Sequence, residues 1–182
     1  MPADLVTRFL AAPVMPAPDP WRPSQRPMIS TGGLLGVGFA PHPETGRDLL
    51  LVASHNGLGL IDPVTGDRLA RDDDGMAGWP DRSDLSCPGI GPITGTRVRM
   101  AGLLGGGLNR TARSGWTVRV VSPAWPAERV LLTADDNPWT GDAWWHIFHA
   151  DVTELRAAGF SPSGSTLIVA TTSDVTLWTR PD

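Results

Sequence analysis

Two stretches of this chain carry one pattern, and that pattern limits what the chain can fold into. Gly38-Phe39-Ala40-Pro41 matches Gly159-Phe160-Ser161-Pro162. After a loop of different length, residues 48–62 (DLLLVASHNGLGLID) align without a gap on residues 165–179 (STLIVATTSDVTLWT). Each copy reads as an apolar strand ending at Phe and Pro, then a second ending in Ala and a small polar residue. A tight turn follows, at Asn56-Gly57 or Ser173-Asp174, and an alternating third strand runs to Ile61 or Trp178. A unit this small cannot bury its own apolar face, so copies have to stack.

Glycine (21) and proline (18) fill about a fifth of the 182 residues, which leaves little room for long helices. Between them lie short apolar runs at 34–40, 49–54, 58–61, 97–104, 116–121, 129–133, 155–160, 166–171 and 175–178. These runs are β-branched or leucine-rich and bounded by turn formers, so they read as strands and the fold class is all-β. Asn56-Gly57 is a strong hairpin signal, because both residue types tolerate positive φ. Residues 62–67 (DPVTGD) form another strand-to-strand turn. Residues 72–95 and 135–150 read as long loops. Six prolines in residues 11–28 block a helix and a central strand, leaving an extended arm anchored by Trp21. Residues 4–11 fit a turn or two of helix or an edge strand equally well.

Phe160-Ser161-Pro162-Ser163-Gly164, Leu177-Trp178 and Pro63-Val64-Thr65-Gly66 carry a resemblance. They stand where blades of the WD40-type β-propeller family have the end of strand a, the end of strand c and the c–d turn. Both repeats resemble such blades, with residues 67–71 as strand d of the first. Thr179 replaces the family's aspartate, and His149 lies near its Gly-His position without the glycine. The resemblance implies a partial β-propeller of about three four-stranded antiparallel blades, at about 34–71, 89–134 and 150–182. The middle blade is degenerate, with strands at 97–104, 116–121 and 129–133 and a glycine-rich loop at 104–114. Residues 1–30 are then a proline-rich N-terminal arm and 31–182 a single propeller-type domain.

Closed propellers have about 4–8 blades. A three-blade arc leaves open sheet edges and a half-exposed core face. The expectation is therefore closure by oligomerisation, as a homodimer forming a six-bladed ring. A partner's sheets, or a middle region folded differently, would serve the same end. The last blade stops after strand c, and a strand such as 6–11 is expected to supply its fourth.

With 15 basic and 19 acidic side chains the net charge is −4, which argues against a general electrostatic grip on nucleic acid or anionic lipid. No run approaches the ~20 apolar residues of a membrane span. The apolar stretch 5–15 is broken by Arg8 and Pro13 and follows Asp4, so no export signal is expected and the expected location is cytoplasmic. Cys87 is the single cysteine and can close no intramolecular disulfide and build no cysteine metal cluster.

No cofactor is expected. Lysine is absent, so the glycine run at 102–107 lacks the ending of a phosphate loop. The glycines at 33–38 precede an apolar strand where a dinucleotide loop would open a helix. Asp72-Asp73-Asp74 and Asp135-Asp136-Asn137 read as solvated turns rather than cation sites. His146 and His149, close in sequence to Asp135, Asp136 and Asp142, share a face on a helical turn but oppose each other on a strand. No metal is assigned.

Eight tryptophans are the most unusual feature, and three of them stand at 139, 144 and 145. Loop indoles offer flat stacking area and serve as interface hot spots. Asp135, Asp136, Trp139, Trp144, Trp145 and His146 are thus the candidate partner- or ligand-binding residues. The competing reading has this loop folding back and burying its own indoles. Trp116 and Trp178, at strand positions, are expected in the core. The expected function is a non-catalytic protein-interaction scaffold of WD40-like type, acting through blade edges or the tryptophan-rich loop on a protein partner or a second copy. The alternative is a lectin-like, glycan-binding module. A hydrolase using Asp135, Asp136 and His146 is a third reading.

Overall fold

A computed structural model of the chain describes residues 3–134 and 144–181. In chain order the elements are α1 (Ala3–Ala11), β1 (Arg22–Ser30), β2 (Leu34–Pro41), β3 (Asp48–Ser54), β4 (Gly57–Ile61) and β5 (Arg68–Asp72). There follow β6 (Ser86–Pro88), a 3-10 turn at Gly91–Ile93, β7 (Arg97–Arg99), β8 (Ala101–Gly102), β9 (Thr117–Ala124) and β10 (Ala127–Thr133). The last four strands are β11 (Trp144–Ala150), β12 (Leu155–Phe160), β13 (Thr166–Thr171) and β14 (Asp174–Thr179). The fold is all-β, built from antiparallel sheets of which none closes on itself.

The two sequence repeats become two meanders with one register. Leu51 faces Leu60 and Ala53 faces Leu58 in the N-terminal sheet. The aligned residues pair identically in the C-terminal sheet, where Ile168 faces Leu177 and Ala170 faces Val175. In the β3–β4 hairpin Ser54 faces Gly57, so the loop is His55-Asn56. Positive φ falls on Gly57 (+102°) and not on Asn56. A Cβ at Gly57 would overlap the Asp72 carbonyl oxygen, which is why glycine stands there.

The fourth strand of the C-terminal sheet corrects one expectation. Residues 6–11 are not that strand; they lie in helix α1. Leu5 and Phe9, one helical turn apart, share a side and bury against Val121 and Leu131. The place beside β14 is taken by β1, out of the proline-rich segment, giving the order β1-β14-β13-β12. Pro23 and Pro27 are tolerated because β1 is an edge strand. Its register slips between Pro23 and Met28. There the Gln25 and Arg26 N–H groups donate to the Val64 and Thr65 carbonyls of the β4–β5 turn, at 3.3 and 3.1 Å. The arm thereby ties the two repeats together.

The middle region also departs from expectation. The 97–104 run splits between β7, which pairs with β6, and β8, which adds to the inner side of β2. The middle sheet is β11-β10-β9, and residues 144–150, read from sequence as loop, are its outer strand. Its tryptophan, histidine and aromatic residues are covered on both faces, so the polar–apolar alternation that marks a half-exposed strand is missing. The inner position of this sheet is occupied only by a short segment. Thr111 bridges Thr117, Asn109 bridges Phe160, and the Val118 N–H donates to the Arg110 carbonyl at 2.8 Å.

The sheets stack face to face, with the C-terminal sheet in the middle. Leu167 and Val169 of β13 join Val118, Val130, Leu132 and Ile147 in one core. Ile168 and Ala170, on the other face of β13, join Val37, Leu50, Val52 and Ile61 in a second. Both ends of the stack are covered by the chain itself. Cys87, Ile93, Val98 and Met100 cover the far face of the N-terminal sheet. Helix α1 covers the far face of the middle sheet.

Candidate functional site

Of the residues singled out from sequence, Asp135, Asp136 and Trp139 lie outside the described residues, as do Asn137 and Asp142. Trp144, Trp145 and His146 stand on β11, and its ladder dictates where they point. Trp144 pairs with Thr133 and faces α1, where its ring meets Phe9 edge-on at 5.3 Å and the Arg8 guanidinium lies 5.1 Å from the ring centre. Trp145 pairs with Leu132 and turns to the opposite face, packing against Trp116 at 5.7 Å in the central core. The two neighbouring indoles therefore offer no common stacking surface. Trp116 and Trp178 belong to the same core.

His146 is buried on the α1 side. Its Nδ1 lies 2.9 Å from the Ala12 carbonyl oxygen and its Nε2 3.0 Å from that of Phe148. Arg129 Nη1 reaches both the Ala12 carbonyl and His146 Nδ1, at 3.3 Å each. Burial, with the Arg129 cation and His149 adding to it, holds the imidazole below the ordinary histidine value against the pull of the two carbonyls. The Met15 N–H donates to the His146 carbonyl at 2.7 Å, so this histidine fastens the chain leaving α1 to the edge of β11. A bulge after Val130 changes the histidine geometry: Leu131 faces His146 and Arg129 faces His149. With one extra residue between them both rings fall on one side, 6.0 Å apart, where a regular strand would oppose them. No group of three metal-ligating side chains occurs among the described residues.

Cys87 is buried, and burial pushes its thiol up to about 11. Asp81 and Asp84 are held below the usual carboxylate range, mainly by hydrogen bonds from Ser83 and Ser86. These are turn contacts, each from a side chain two residues on.

Two features that sequence reasoning passed over stand out. The first is Trp125 at the tip of the β9–β10 hairpin, 81% exposed. Val152, 90% exposed, follows the end of β11 that pairs with the start of β10, so both apolar side chains project from one end of the middle sheet. The alternation that buries Val118 and Val130 stops at this tip, a signal readable only once the hairpin is placed. The second is a cleft of about 350 Å³ where the inner edges of the sheets converge. Its walls come from Ala101, the glycine loop at 106–107, the edge of β9, Glu128 and the β12 residues 155–158, and Arg110, Arg119 and Arg156 line it. No local pattern foretells it, because its residues come from four separate parts of the chain.

Fold and site together define an all-β protein of three stacked antiparallel meanders with an arginine-lined cleft. No protein-family description, no curated protein and no solved structure matches the chain. No helix among the described residues is long and apolar enough to cross a membrane.

Proposed function

We propose that this chain is a non-catalytic protein-interaction module of WD40-like blade architecture, acting through the exposed end of its middle sheet. The observation that carries this reading is Trp125. A tryptophan left 81% exposed on a hairpin tip costs solubility with no return inside the fold. Tryptophan is also the side chain most enriched among interface hot spots. Val152, exposed at the same end of the sheet, adds a second apolar side chain there. His146, whose two ring nitrogens face main-chain oxygens, and the buried, protonated Cys87 thiol are both engaged inside the fold.

The partner is a second copy of the chain or another protein, and the mass in solution separates the two. A homodimer near twice 19.4 kDa by light scattering, returned to monomer by Trp125→Ser, identifies self-association through this end. A monomer that retains a defined protein from extract, and loses it in Trp125→Ser, identifies a different partner. Loss of this anchor is expected to weaken association by about 2 kcal/mol or more. Association unchanged in Trp125→Ser, or none at all, overturns the reading.

A further inference from the structure

We propose that the central cleft is a binding site for a small oxyanion, a phosphate- or carboxylate-bearing molecule. This goes beyond the partner reading and does not depend on it. The chain as a whole is acidic, with net charge −4, yet Arg110, Arg119 and Arg156 all line this one cleft, beside Glu128 and with Glu154 paired to Arg156. Three arginines lining one cleft depart from the average composition of a chain in which acidic side chains outnumber basic ones.

Two of these arginines, Arg156 and Arg110, are placed to receive a ligand. Arg156 is held: its Nε donates to the Leu34 carbonyl at 3.4 Å and its Nη1 to Glu154 at 2.7 Å, with 12% of the side chain exposed. Five N–H donors on a planar fork leave further donors after those two bonds. Arg110 makes no salt bridge among the described residues. Guanidinium pairs take carboxylate and phosphate oxygens in bidentate fashion.

The remaining wall is also rich in donors. The Val118 N–H points inward to the Arg110 carbonyl, so by the alternation of the ladder the Val120 N–H points the same way, beyond the end of the segment that covers the edge. Gly106 and Gly107 bring bare main chain to the cleft, and a Cβ at Gly107 would meet only open space. Glu128 is occupied, accepting from Ser122 and from the Leu155 N–H, and burial and then the neighbouring Glu154 carboxylate disfavour its charge. The volume suits one small ligand rather than a folded partner.

The test is calorimetric titration of the full chain, in low-salt buffer free of other oxyanions, with inorganic phosphate and separately with tricarballylate. Saturable binding of one probe below about 10 mM, weakened tenfold or more in Arg110→Gln, is the expected result. The probe that saturates assigns the site to phosphate or to carboxylate. Arg156→Gln serves as a second variant if it keeps the wild-type circular dichroism; if it does not, Arg110→Gln alone decides. Saturation by neither probe overturns the proposal, and so does binding that the folded arginine variants leave unchanged, since the anion then sits elsewhere.

Discussion

His146 shows how one side chain carries several duties at once. Burial, Arg129 and His149 together favour its neutral form in the folded protein. A histidine depressed below its unfolded value of 6.5 contributes stability that is complete above that pH and is lost as the pH falls through the folded value. Thermal unfolding followed across this range should show wild type losing stability below pH 6.5 more steeply than His146→Gln. Parallel curves would remove His146 from the acid response. Cys87 gives a second residue-level prediction. Its thiol sits buried and protonated, so below pH 9 an aromatic disulfide reagent should titrate it only after denaturant is added. Immediate reaction in the native protein would contradict the packing of β6 under the N-terminal sheet.

At the scale of elements, the edges and ends of the stack explain why these sheets do not leave a raw apolar face. The nine residues of α1 are too few to be stable alone in water, and their helicity rests on Leu5 and Phe9 packing on the middle sheet. Phe9→Ala should cost about 3–5 kcal/mol, measured by denaturant unfolding, and should expose Trp144 to solvent with a red shift of fluorescence. β1 does the corresponding work for the C-terminal sheet. The two repeats were legible as strands because their apolar runs are short, punctuated and in one order. β11 was not legible, because both of its faces are covered and a bulge interrupts its periodicity. β1 was not legible either, because its prolines are forbidden in a central strand and allowed only at an edge that the sequence does not announce.

For the whole molecule, the decisive fact is that the chain's beginning completes its end. β1 pairs with β14, and Ser24, Gln25 and Arg26 bond to the β4–β5 turn, so one segment joins the first repeat to the last. The Ser163 N–H and hydroxyl donate to Asp48 across the same junction. A chain lacking residues 1–30 should lose Trp21 from the core, expose the β14 edge and aggregate or unfold, read by light scattering and circular dichroism. A soluble, fully β-structured product would mean that the repeats associate without this closure. The expectation of ring closure by a second copy rested on an uncovered sheet face. Within the described residues the outer faces are covered by β6, β7 and the 3-10 turn on one side and by α1 on the other. Self-association therefore has to be argued from Trp125 and not from an incomplete ring.

The sequence alone determined the strand-rich class, the two meanders and their shared register. Those depend on local apolar period and turn chemistry, which are written within a few tens of residues. Only the tertiary structure decided the order of the stack, the edge role of the proline-rich segment, the bulge that brings His146 beside His149, and the cleft that gathers Arg110, Arg119 and Arg156. Each of these is a relation between residues far apart in the chain, set by which faces bury best against one another.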